Sequence, residues 1–328
     1  MATYKEIFGT NIEVLASDPA NPVEGQVWYN STDNVVKGAA LTTAGAWATG
    51  GNLNTARMFF SGSGLQTSTI VAGGENATAY NVIAESYNGT SWTEVGDLNT
   101  STYSSAAAGA DNTSALQFAG YNGSNLAKNE SWNGTSWTEL ADLNLARRFP
   151  GGNGIATAAL AFGGFSPNYA QTESWNGTSW TEVNDLNTAR YGLGSAGFTN
   201  TSILAFGGFT APPTVKRSET ESWNGTSWTE VSDLNTARGF VGGAGTDNTS
   251  ALAFGGELSA GPASTLTEEW NGTSWSEVAD LATARDGMAA SGTQTAALSS
   301  GGDGPPYLAA TEEWTGAGAP LVYTFTDS

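Results

Sequence analysis

The chain has 328 residues, 31 acidic against 11 basic, for a formal charge of −20. That imbalance repels phosphate backbones and anionic lipid, whose binding draws on Lys and Arg, so nucleic acid is not an expected partner. With no cysteine and no histidine, disulfides, Ser-His-Asp and Cys-His nucleophiles and His-ligated zinc or copper are all excluded.

Residues 1–45 form a leader distinct from the rest of the chain. "MATYKEIFGTNIEVLASDPANP" has no apolar core with a cleavage site. No segment of the chain approaches the roughly 18 apolar residues that span a bilayer, so membrane insertion is not expected. "DPANP" reads as a proline-bounded linker, and "QVWYNSTDNVVKG" as a hairpin.

From residue 46 the chain repeats. "SWNGTSWTEV" begins at Ser131, Ser174 and Ser222, with near copies at Ser86 and Glu269. The second tryptophan of each copy, preceded by Trp47, recurs at Trp92, Trp137, Trp180, Trp228 and Trp275, at intervals of 43 to 48 residues. Such a period marks a repeat array, so residues 46–328 are one unit rather than two domains. Within a unit, a glycine-rich apolar run leads to a polar turn. A short apolar run such as "SALAFGG" follows and ends in paired glycines. After a loop of changing length come two tryptophan strands around Asn-Gly. Asn-Gly between alternating strands predicts a type I′ hairpin with positive φ at both central residues. Each unit therefore supplies about four short strands, and helix signals are nearly absent. One such sheet cannot bury both faces; stacking sheets and closing them into a ring can.

The glycine doublets fall at 73–74, 163–164, 207–208, 255–256 and 301–302, with Ala119-Gly120 as the variant. Six units favour six four-stranded blades. The last unit breaks pattern after Trp314, so the strand at Trp47 or the C-terminal "LVYTFT" completes it. Seven blades, one built from leader and terminal strands, is the alternative.

Recurrent residues have mostly structural readings. The Asn-Gly-Thr triplets match the N-glycosylation pattern but read as turns in a chain without a secretory signal. "DLNTAR" and its variant place Arg57, Arg147, Arg190, Arg238 and Arg285 at one position. Such arginines could ring a channel and grip an anion, but equal copies of acid and base point to ties, with partners such as Asp185 or Glu182. Trp132, Trp175 and Trp223 read as packing rather than sugar platforms. The acidic residues repeat as well, so no face is expected to gather unmatched carboxylates of the kind a glycosidase needs. No metal or other cofactor is expected.

What differs between units is the stretch after each doublet. It brings Tyr80, Tyr121, Tyr169, Phe209 and Tyr307, together with Lys216 and Arg217. Variable loops of an array collect on one face, and exposed aromatics there suit a glycan or protein target.

Paired glycines, an aromatic about ten residues on and a tryptophan after a hairpin resemble kelch repeats over residues 46–328. That resemblance implies an all-β, kelch-like β-propeller. Galactose oxidase has such a propeller, but its copper chemistry needs His ligands and a Tyr-Cys link that this chain lacks. "SWNGTSW" also resembles the sialidase aspartate box, one residue short and with Asn for Asp. The leader's "EGQVWYN" resembles the N-terminal stretch of tail-associated virion proteins of marine tailed bacteriophages, where kelch-like units come after it. The resemblance implies that Glu24, Gly25, Gln26, Trp28, Tyr29 and Asn30 lie in a segment attaching the chain to the particle. It implies a non-enzymatic structural protein, assembled in the host cytoplasm and oligomeric in the virion. Its expected partners are other tail proteins and a host-surface glycan or protein. The alternative is a glycan-binding or glycan-processing propeller enzyme.

Overall fold

The computed structural model describes residues 12–19, 22, 25–41, 44–166, 168–259, 261–304, 307–317 and 320–325. These residues form strands, turns and loops without a helix, and they divide into two compact units, Met1–Gly45 with Thr315–Ser328, and Ala46–Trp314.

The larger unit holds six four-stranded antiparallel sheets among the described residues, a propeller-like arrangement. The sheet over residues 151–183 shows the pattern. Gly151–Ile155 pairs with Ala158–Phe162, that strand with Thr172–Trp175, and that one with Trp180–Val183. Its second strand, "AALAF", is buried along four consecutive residues because sheets cover it on both faces. Alanine there lets sheets approach, while large rings fill what remains. Leu204, Phe206, Ala251, Ala253, Trp270 and Trp275 form one such interlayer core.

The Asn-Gly hairpins differ from the two-residue turn expected. Trp132 pairs directly with Trp137, leaving a four-residue loop. Positive φ is confined to its glycine, Gly134 at 89°. The Asn133 side chain does the rest, its Oδ1 accepting the Thr135 and Ser136 amides at 2.9 Å each. An Asn that turns the chain through its side chain has no need of the left-handed region.

The recurrent arginines are ties, but with a different carboxylate from the one expected. Arg190 pairs with Glu221 at 2.8 Å, Arg238 with Glu268 at 2.8 Å and Arg285 with Glu312 at 2.7 Å. Arg57–Glu85 and Arg147–Glu173 repeat the pair. The partner is the inward glutamate of the third strand, not Glu182 or Asp185, which lie on or beyond the exposed outer strand. Each pair is buried, and four of the five arginines, all but Arg57, also donate to backbone carbonyls. Arg190 also donates to the Gly207 and Glu219 carbonyls, while Glu221 accepts the Asn187 amide at 2.7 Å. Burial pulls the arginines below their usual range and the glutamates opposite hold the charge in place. In the unit with Thr102 in the arginine's place, Glu130 keeps only the Asn99 and Thr100 bonds of this set.

Tryptophans of the fourth strands reach back to the preceding sheet. Trp228 donates to the Thr172 hydroxyl and Trp275 to that of Thr220, both at 3.1 Å, and Trp47 to that of Thr267 at 3.0 Å. Trp92, in the first sheet, donates to Thr311 of the sixth at 3.0 Å. The first and sixth sheets also meet through Gln66, which donates to the Ala297 and Trp314 carbonyls, and through Thr69 and Ser291, whose hydroxyls lie 2.7 Å apart. Ala46–Thr49 supplies the outer strand of that sixth sheet.

In the smaller unit, Val27–Asn30 and Val35–Leu41 form the expected hairpin. Glu13–Leu15 adds in parallel on one side, and the C-terminal Pro320–Thr324 pairs with Val35–Leu41 on the other. The final strand therefore joins the leader instead of the repeats. Asp18, in the proline-bounded stretch, accepts from the Trp28 indole at 3.1 Å and the Asn30 amide at 2.8 Å. It also pairs with Lys37 at 2.8 Å.

Candidate functional site: one face of the repeats

The inner strands carry little chemistry. Gly62, Gly109, Asn153, Gly197, Gly243 and Ser291 are among the residues where they converge. At one end, six residues that come two positions after the "DLNTAR" segments or their variants join in a circuit of backbone bonds. The Ser104 amide donates to the Phe59 carbonyl, Phe149 to Ser104, and Gly192 to Phe149. Phe240 then donates to Gly192, Gly287 to Phe240, and Phe59 to Gly287, at 2.7 to 3.4 Å.

All six adopt positive φ, between 50° and 60°. For a phenylalanine the left-handed region costs about 1–2 kcal/mol, so three of them there mark a constrained place. Contact among the rings offsets that cost. Phe59, Phe149 and Phe240 meet one another at centroid distances of 4.8 to 5.2 Å. The glycines between them make the room: a Cβ on Gly192 would lie 2.8 Å from the Phe240 ring, and one on Gly287 2.7 Å from that of Phe59. The three rings help line a cavity of about 100 Å³ at this end.

Just outside the circuit, each unit pairs the preceding residue with the one after its glycine doublet. The pairs are Met58 with Glu75, Tyr103 with Tyr121, Arg148 with Phe165, Tyr191 with Phe209, Gly239 with Glu257 and Asp286 with Asp303. Constant backbone thus displays varied side chains. Three consecutive units, with Tyr80 from the unit before them, form an aromatic arc. Tyr80 stacks on Tyr103 at 4.6 Å and 19°, Tyr121 packs edge-on to both, and Tyr191 stacks on Phe209 at 5.1 Å and 19°. Arg148 sits within this arc, its guanidinium 4.8 Å from the Tyr121 ring centre and 4.7 Å from that of Phe165. Burial raises the Tyr103 and Tyr191 hydroxyls above the usual phenol range, and Arg148 opposes the rise in both.

The remaining units carry acid. Asp286 is buried, and its carboxyl is pushed up to about 7, first by desolvation, then by Asp303 and Glu257, against the pull of Lys216. Unlike the expectation from the repeating acids, this face does bring carboxylates together. They sit at positions where one unit differs from the next, which the repeat pattern hides.

Of the loop residues singled out from sequence, Tyr80 is exposed and joins the arc with Tyr121. Phe209 is buried, not displayed, stacked against Tyr191 and Phe240. Lys216 lies over the Phe209 ring and pairs with Glu257 at 3.0 Å. Arg217 is engaged by Glu219. Tyr169 is half-buried near Arg147, and Tyr307 is half-buried near Glu75 and Asp303. Sequence reading missed Phe59, Tyr103, Arg148, Phe149, Tyr191 and Phe240. Their signal was available: directly after a near-constant "DLNTAR" the residues change from unit to unit.

In the leader, Trp28 and Asn30 are buried and serve its own fold, while Tyr29 is half-buried and donates to Asn34 at 3.2 Å. Gly25 is exposed at φ 78°, Gln26 is half-buried, and Glu24 lies outside the described residues. Val14, Val322, Tyr323 and Phe325 are the large apolar residues that this unit exposes among those described.

No protein-family model matches this chain, and no curated protein is similar to it in sequence.

Proposed function

We propose that residues 46–314 form a closed, six-bladed kelch-like β-propeller, and that the chain is a non-enzymatic, tail-associated virion protein that binds through the face carrying the aromatic arc. The circuit of six backbone bonds from Phe59 to Gly287 and back supports the closed six-bladed reading. The contrast between constant ties and a varied aromatic, cationic and acidic face carries the binding reading. A scaffold that repeats everything except one face has its specificity there. The virion assignment rests on the leader's "EGQVWYN" and on the exposed Val322, Tyr323 and Phe325, which suit docking onto another protein. Antibodies against the repeats should decorate the tails of intact particles of the phage that encodes the chain. Purified particles lacking the chain by mass spectrometry would refute the assignment.

A second reading has one observation in its favour. Asp286 and Asp303 are antiparallel bridge partners, so their Cα atoms lie about 4.5–5.5 Å apart. A carboxyl held protonated near neutrality beside an exposed carboxylate is the arrangement of a glycosidase acid and its partner. Incubation with host-envelope polysaccharide decides: new reducing ends that Asp286→Asn abolishes would make the chain an enzyme.

A further inference from the structure

Arg148 is a cation packed against two aromatic rings and, among the described residues, without a carboxylate partner. Among the described residues, every other arginine pairs with a carboxylate: Arg57 with Glu85, Arg147 with Glu173, Arg190 with Glu221, Arg217 with Glu219, Arg238 with Glu268 and Arg285 with Glu312. Arg148 has none, in a chain with nearly three acids for each base. The Tyr121 and Phe165 rings both pack against its guanidinium, and its Nε is buried without a hydrogen-bond partner. A guanidinium stacked in this way keeps its in-plane donors in one orientation. That fork matches a carboxylate and loses little freedom when it binds one.

We infer that Arg148 is the anion-binding centre of the recognition face and that its ligand is the carboxylate of an acidic sugar, a uronate unit of a surface polysaccharide. This deepens the binding role proposed for that face and does not depend on the virion assignment. Three observations favour a sugar over an acidic peptide. The arc offers ring faces, and the amides of Tyr103, Tyr121, Phe165, Tyr191 and Phe209 are already taken by backbone bonds. Tyr80, the exposed member, stands stacked on Tyr103 beside Tyr121, where it presents a flat surface to the C–H face of a pyranose. The Tyr103 hydroxyl, within electrostatic reach of Arg148, supplies a group that can bond a sugar hydroxyl, while that of Tyr191 is engaged by Thr214. The charge of −20 disfavours an acidic polymer at long range, but at 0.15 M salt that field is screened beyond about 8 Å, so the local fork decides.

The test is calorimetric titration of the full chain at 0.15 M salt with four probes: an oligouronate, a neutral oligosaccharide of equal length, a hexose phosphate and tetraglutamate. The oligouronate should bind best. Arg148→Gln should weaken it about tenfold or more, since a hydrogen bond to a charged group is lost. Arg148→Lys, which keeps the charge without the fork, should restore little of that loss. Tyr80→Ala, at an exposed ring, tests the platform should the Arg148 variants fail to fold, and should also weaken binding. Equal binding of the neutral oligosaccharide, or of either variant and the wild type, overturns the inference. Tetraglutamate binding as well as the uronate overturns the sugar assignment, and tighter hexose phosphate overturns the carboxylate. Uronate binding by a chain absent from virions would sink the virion reading alone.

Discussion

Thr172→Val removes one buried hydroxyl and nearly preserves shape. Thr172 is fully buried, and its Oγ1 accepts the Trp228 indole N–H at 3.1 Å. Among the described residues the only other bond of that hydroxyl is a long one, 3.5 Å, to the Ala170 carbonyl, which already accepts the Leu186 amide. Valine therefore orphans one buried donor, at a cost of about 1–3 kcal/mol. A loss of about 2 kcal/mol corresponds to a fall in Tm of about 3–4 °C for a unit of this size. The molecule carries its own control. At the equivalent positions Ala84 and Asn129 stand in place of threonine, and the Trp137 and Trp180 indoles facing them lack partners. Ala84→Thr should give Trp137 an acceptor and raise Tm. Calorimetric melting of the wild type, Thr172→Val, Thr172→Ser and Ala84→Thr checks the set. Serine keeps the hydroxyl, so its cost reports the methyl packing alone, and it should be smaller than that of valine. Thr172→Val melting with the wild type would refute the reasoning outright.

Arg190→Met should destabilise by about 3–5 kcal/mol in urea titration, because it leaves Glu221 charged and unpaired in the interior, and Glu221→Gln added to it should recover much of the loss. Asp286 has a folded pKa raised from 3.8 to about 7, so the folded state holds its proton longer than the unfolded chain. Its contribution is therefore full below about pH 4 and is lost as pH rises through 7; Asp286→Asn should flatten the urea midpoint over that window. Asp18 runs the other way. Its carboxyl is held below the usual range, chiefly by the Lys37 bond and then by Asn30, so its contribution is present near neutrality and lost on acidification below about pH 4. Asp18→Asn should speed hydrogen exchange of the Trp28 indole at pH 7 and remove that acid dependence.

The sequence was strongest where a residue's role is local. Alternation and glycine doublets marked the four strands of each unit, because strand period and backbone freedom act over a few residues. It was weaker on turn chemistry, since Asn133 turns the chain by side-chain acceptance rather than by positive φ. Partner choice was beyond it. Nothing in "DLNTAR" says whether arginine meets Glu173 or Glu182; the two are register partners on one sheet face, and Glu173 is buried only because its strand is covered while the outer strand of Glu182 is exposed. The same holds for the aromatic arc: Tyr103, Arg148 and Tyr191 lie over forty residues apart and become neighbours because consecutive units set the same position side by side. Repetition by itself determined that small sheets would recur and be buried on both faces. The tertiary structure decided which strand completes the sixth sheet and which unlike residues meet, because those outcomes depend on contacts between segments whose local preferences are satisfied either way.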